Sequence, residues 1–159
     1  MGYFRLAIGI WLAFGASAPA MAEVDLDRFH TCIDAQISGN RPAADCVQQE
    51  HLACGDFPLE TAPQAAILCY VEAQDSWTAA IKTQLDRLKD RPEPKIADVA
   101  EIEVKYDILR NLLQCDRMEE LAGLAEQDET AKGLQKARCT ATAFGLAYAR
   151  LALQSRPRP

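Results

Sequence analysis

Residues 61–89, TAPQAAILCYVEAQDSWTAAIKTQLDRLK, decide the fold. Ile67, Tyr70, Gln74, Trp77, Ile81, Leu85 and Leu88 recur at intervals of three and four, the spacing that aligns side chains on one face of an α-helix. A single glutamine interrupts this apolar stripe. Thr61 supplies a candidate N-cap and Pro63 suits the first turn, so the sequence predicts a helix from Thr61 to about Lys89. Asp90-Arg91-Pro92-Glu93-Pro94 then ends it, because each proline lacks a backbone donor and biases its predecessor away from helical geometry. A second helix is expected from about Lys95 to Leu124, with Val99, Ile102, Tyr106, Leu109 and Leu113 as its stripe. After Ala125 to Asp128, a third runs to about Leu153 with Leu134, Ala137, Ala141, Phe144, Tyr148 and Leu151 aligned. Such helices need one another as cover, and short connections make consecutive ones antiparallel. No sustained β-type alternation competes.

Upstream, a shorter helix is expected over Val24 to Ser38, with Leu26, Phe29 and Ile33 on one side and Gly39-Asn40-Arg41-Pro42 as its stop. Another, from about Ala43 to Ala53, carries Cys46 and ends at Cys54-Gly55-Asp56-Phe57-Pro58. The first 22 residues, MGYFRLAIGIWLAFGASAPAMA, place Arg5 before an apolar stretch and finish in Ala20-Met21-Ala22. This is the order of a cleavable signal peptide (1–22), with a mature start at Glu23. The apolar stretch from Leu6 to Ala18 falls short of the roughly 20 residues a spanning helix needs, so no membrane span is expected after cleavage. The remaining chain, 23–159, reads as a single helical domain, since neither an internal repeat nor a linker divides it. A periplasmic or secreted location follows from the leader.

All 6 cysteines, Cys32, Cys46, Cys54, Cys69, Cys115 and Cys139, lie beyond the leader, and an even count in a small exported protein reads as a disulfide framework. Six cysteines admit many connectivities. The sequential one, 32 with 46, 54 with 69 and 115 with 139, is preferred because it closes modest loops where helices turn back. The expected fold is therefore all-α: a disulfide-pinned antiparallel helical bundle of three long helices with a short N-terminal helical pair.

Lys and Arg number 17 against 23 Asp and Glu, a formal charge of -6 that becomes one unit more negative when Arg5 leaves with the leader. No basic stripe follows a phosphate backbone, so nucleic acid is not an expected partner. His30, Cys32, Cys46, His51 and Cys54 carry zinc-ligand chemistry, but oxidised thiols leave no metal or other cofactor expected and the histidines as surface residues. An even set of cysteines also leaves no free nucleophile. The carboxylate pairs Asp25 and Asp27, Glu101 and Glu103, and Glu119 and Glu120 read as solvated surface. Phosphate-loop, nucleophile-elbow and H-E-x-x-H signatures are absent, so no enzyme is expected. Trp77 and Tyr106, each on an apolar stripe, read as core rather than as ligand-cleft residues. Asp116, Glu119, Glu120, Glu126, Asp128 and Glu129 concentrate acid around the second long turn, with Lys132, Lys136 and Arg138 close behind.

Cys69 followed by Glu72 and Trp77, then Ile81 and Leu88, a second helix ending near Cys115, and Cys139 after it resemble the LprI-type lysozyme-inhibitor N-terminal domain family of bacterial envelope proteins. Tyr106, Arg110 and Cys115 stand in the second helix where that family carries a tryptophan, an arginine and a cysteine, so tyrosine replaces the tryptophan and the last spacing is one residue longer. Cys32, Cys46 and Cys54 resemble an N-terminal extension of some members. The resemblance spans about Leu26 to Leu153. It implies a non-enzymatic protein-binding protein whose partner is a lysozyme-like hydrolase, with exposed turns such as Gly55 to Glu60 or Asp90 to Lys95 entering a cleft, and the net negative charge suits a cationic partner. The alternative expectation is a structural or assembly component of the bacterial cell envelope.

Overall fold

The computed structural model describes residues 23–156; the expected leader and the last three residues lie outside them. Six helices follow in order: α1 (Leu26–Ser38), α2 (Ala44–Glu50), α3 (Leu52–Gly55), α4 (Pro63–Lys89), α5 (Pro94–Leu124) and α6 (Glu129–Gln154). Their ends follow from local chemistry. Asp25 and Asp128 cap α1 and α6, each side chain accepting from the backbone N–H three residues on at 2.9 Å. Proline opens both α4 and α5, where its missing donor costs nothing. Ala62, not Thr61, occupies the cap position of α4, and no side chain bonds there. The stop after α1 uses Asn40 in the left-handed region (φ 52°), with Gly39 at an ordinary negative φ.

The three long helices form one antiparallel bundle, as the stripes of α4 and α6 require. Cys115–Cys139 and the Arg150–Asp107 ion pair (2.6 Å) tie α5 to α6 running the opposite way. At the far end, Arg91 beyond α4 donates to the Ser155 carbonyl beyond α6 (2.9 Å). The remaining bridges, Cys32–Cys46 and Cys54–Cys69, join α1 to α2 and α3 to α4. Each bridge contributes roughly 2–4 kcal/mol, chiefly by restricting the unfolded chain.

Trp77 is fully buried at the centre, with the Phe29 ring edge-on at 4.9 Å between centroids and the Tyr148 ring at 5.5 Å. Small residues let α6 reach this aromatic group. A Cβ on Gly145 would lie 2.5 Å from Val47 Cγ1 and 3.0 Å from Trp77 Nε1. Within the N-terminal pair, Glu50 of α2 holds α1: its side chain is 1% exposed and accepts both Arg28 Nε (2.9 Å) and Nη2 (2.7 Å). Glu50 also receives the Asp25 N–H at 3.0 Å, while Val24 N–H reaches Ser76 Oγ at 3.1 Å.

Three further expectations are corrected. The second short helix is not continuous, because it breaks at His51 into α2 and α3. His51 is not a surface residue but a buried one, 3% exposed. The stripe of α5 does not face the core: Val99, Ile102, Tyr106, Leu109 and Leu113 are all exposed, Tyr106 by 65% and Leu113 by 69%. The buried side of α5 is built instead from Ala97, Ala100, Val104 and Cys115, small side chains that allow close approach to α4 and α6.

Candidate functional site

The break between α2 and α3 turns the His51 ring inward onto α4. Trp77 Nε1–H donates to His51 Nε2 at 3.0 Å, which makes that nitrogen the acceptor and leaves the proton on Nδ1. His51 Nδ1 is buried with no hydrogen-bond partner among the described residues, and the Tyr70 ring stands edge-on to the imidazole at 5.8 Å. Burial pulls the His51 pKa down to about 4; Glu50 opposes the shift and Arg138 adds to it. The imidazole is therefore neutral at pH 7, with its basic nitrogen already engaged by tryptophan. His30 Nε2 lies 2.9 Å from the Tyr148 hydroxyl, and burial raises the Tyr148 pKa. These contacts link α1, α2, α4 and α6 through polar groups placed inside an aromatic core.

A cleft of about 610 Å³ opens between α5, α6 and the loop that follows α3. Tyr70, Leu134, Ala143 and Leu146 give it apolar walls, and Leu59 from the loop stands at its side. Asn111, Gln114, Gln135, Arg138 and Thr142 contribute amides, a guanidinium and a hydroxyl. Thr142 Oγ1 donates to the Arg138 carbonyl at 2.9 Å, which keeps that hydroxyl on the α6 surface. An apolar space with a few polar groups is the usual composition of a small-molecule or side-chain binding pocket. Its hydrogen-bonding groups can orient a bound group, and Arg138 can meet an acceptor or an anion.

Near the cleft, Lys136 is held by Asp116 and by Glu119 (2.9 Å), and these carboxylates raise its pKa. Part of the acidic cluster at the second long turn is thus neutralised. The Asp90 to Lys95 turn borders a separate cleft of about 710 Å³ that includes Leu88, Val99 and Ser155. Among the described residues, no three His, Cys, Asp or Glu side chains gather where they could hold a metal ion. Every cysteine is in a disulfide.

Of the residues singled out in the sequence, Cys54, Cys115 and Cys139 line the first cleft, while Cys69 pairs with Cys54 beneath it. Trp77, Ile81 and Leu88 are core, and Glu72 is half-buried on α4. Tyr106 and Arg110 lie exposed on α5 and do not join the cleft. Sequence reasoning missed its polar lining, although the bridge offered a signal. Asn111 and Gln135 each stand four residues before a bridged cysteine, Gln114 and Arg138 one before, and Met118 and Thr142 three after. On antiparallel helices joined at Cys115 and Cys139, these positions flank the disulfide from both sides.

The fold is a disulfide-pinned helical bundle, and its cleft is lined by apolar and hydrogen-bonding side chains. Comparison with family models, with curated proteins and with solved structures finds no match for this chain.

Proposed function

We propose that this is an exported, non-enzymatic protein-binding protein of the periplasm or the extracellular space, directed at a cationic lysozyme-like glycoside hydrolase. The observation that carries the proposal is the loop over residues 55–60. Asp56, Leu59 and Glu60 are exposed on it, so an apolar tip is flanked by two carboxylates. The Cys54–Cys69 bridge anchors its base through two buried sulfurs, which limits the conformational freedom lost when it enters a partner's cleft. The three disulfides suit an oxidising compartment. An acidic chain also gains association rate toward a basic enzyme. The neighbouring cleft offers amides, a hydroxyl and a guanidinium, groups suited to holding a ligand rather than to proton transfer near neutral pH. The resemblance to the LprI-type family points the same way.

The test is binding and inhibition by oxidised residues 23–159 against C-type and bacterial lysozymes, at low and physiological salt. Binding with loss of lytic activity is expected, and it weakens as salt screens the charges. A double substitution, Asp56→Lys with Glu60→Lys, lowers affinity by about tenfold or more. No binding at either salt overturns the proposal.

A further inference from the structure

On the outer side of α5, Val99, Ile102, Tyr106, Leu109 and Leu113 follow one another at intervals of three, four, three and four. That alternation is the repeat of about 3.5 residues that defines a coiled-coil seam, narrower than the face of an ordinary surface helix. All five side chains are exposed, and the buried residues Ala97, Ala100, Val104 and Cys115 lie on the opposite side. The helix thus has two apolar faces, one used within the protomer and one without a partner among the described residues. Its outward face lets another helix dock without displacing α4 or α6.

We propose that this seam is the interface of an antiparallel homodimer, in which α5 packs against α5 of a second copy. Charge selects the occupant and its direction. In the antiparallel register that stacks Tyr106 on the partner's Leu109 and Ile102 on the partner's Leu113, the flanking Glu103 faces the partner's Arg110, and symmetry makes this pair twice. The same register places Lys95 against the partner's Glu120 at both ends of the seam. Among the described residues, neither Glu103 nor Arg110 makes an ion pair, so both can meet a partner.

The competing arrangements bring like charges together. A parallel pair sets Asp98 beside the partner's Glu103 and Lys105 beside the partner's Arg110. Sliding the antiparallel pair by one heptad toward the N-terminus opposes Glu103 to the partner's Glu103 and Lys105 to the partner's Lys105. Sliding it the other way puts Asp116 and Glu120 opposite Tyr106 and Ile102 inside the seam. The chosen register and the one slid toward the N-terminus each oppose apolar side chains at four seam positions, the first seating Val99 against the partner's Asp116 and the second Leu113 against the partner's Lys95; only the first has complementary flanks, and these select it. From Lys95 to Glu120 the contact is about 37 Å long. One helix width over that length stands at the small end of stable interfaces, so the dimer forms in a concentration-dependent manner.

Sedimentation equilibrium of oxidised residues 23–159, from about 1 to about 500 µM, tests the proposal; a monomer–dimer transition with a Kd of roughly micromolar order is expected. Tyr106→Glu weakens it by about tenfold or more, with circular dichroism confirming that the exposed substitution leaves the fold intact. Glu103→Arg alone and Arg110→Glu alone each weaken the dimer, and the two together restore it toward the original Kd. A monomer at every concentration overturns the proposal, and so does a dimer insensitive to Tyr106→Glu. Tightening by Glu103→Arg alone overturns the antiparallel register, since a parallel pair would then gain an attraction to Asp98. None of these outcomes depends on lysozyme binding.

Discussion

Helices α4 and α5 carry stripes of the same spacing and opposite fates. On α4 the stripe meets α1 and α6, and Trp77 at its centre is fully buried among Phe29 and Tyr148. On α5 the stripe points to solvent, while alanines and Val104 make the inward contacts. Helical periodicity establishes that an apolar face exists, but which neighbour covers it depends on how closely the helices pack. Bulky residues suit a core position with room between helices. Small ones mark the line of closest approach, and on α5 that line faces α4 and α6.

The strongest way to break this comparison is to truncate the central aromatic of each stripe. Trp77→Ala removes a fully enclosed ring and the donor to His51, and is expected to cost about 3–5 kcal/mol. Tyr106→Ala is expected to change the stability of the monomer by less than about 0.5 kcal/mol. Denaturant unfolding of both variants with the disulfides intact, at dilute protein, measures the difference. Comparable losses would mean that the α5 stripe is packed in solution.

The same contrast shows what was legible in the sequence. The inward faces of α4 and α6 were, because Trp77, Ile81, Leu88, Tyr148 and Leu151 are large residues placed at helical spacing and buried as such. The bundle and its sequential disulfides followed from the proline breaker and the cysteine positions. The orientation of α5 was not legible, since Ala97, Ala100 and Val104 give a weaker apolar signal than Ile102 or Leu113 yet win the contact. His51 was hidden for another reason. A histidine in a short polar-looking segment carries no local mark of burial, and the helix break that turns it inward is a tertiary outcome. The cleft lining was dispersed between two helices, and a pairing of Cys115 with Cys139 was needed to bring Asn111 and Gln135 to one place.

Acid probes the inner stripe next. The folded chain holds His51 near a pKa of about 4, against about 6.5 when unfolded. Between those values the unfolded chain binds a proton that the folded chain does not, so stability falls as pH falls through this window. The contribution is complete above pH 6.5 and diminishes by about 3 kcal/mol on reaching pH 4. Unfolding free energies measured from pH 7.5 to 4 should show this slope in the wild type, and His51→Phe should flatten it. An unchanged slope would assign the acid sensitivity to carboxylates elsewhere.

The smallest expected difference separates two glycines. Gly145 lies where α6 closes on Trp77, and an added methyl would meet Val47 Cγ1 at 2.5 Å and the Trp77 ring at 3.0 Å. Gly145→Ala therefore sets a gain in helix propensity of up to about 1 kcal/mol against an overpacking cost of about 1–3 kcal/mol. The net effect is destabilising unless Val47 moves. On α5, a Cβ at Gly123 meets nothing within 4 Å, so Gly123→Ala keeps its propensity gain, about a few tenths of a kcal/mol so near the helix end. Opposite signs for the two substitutions in thermal unfolding would show that the tight contact belongs to the Trp77 side of the bundle. Destabilisation by both would mean that the last turn of α5 also packs closely, which would contradict an open outer surface there.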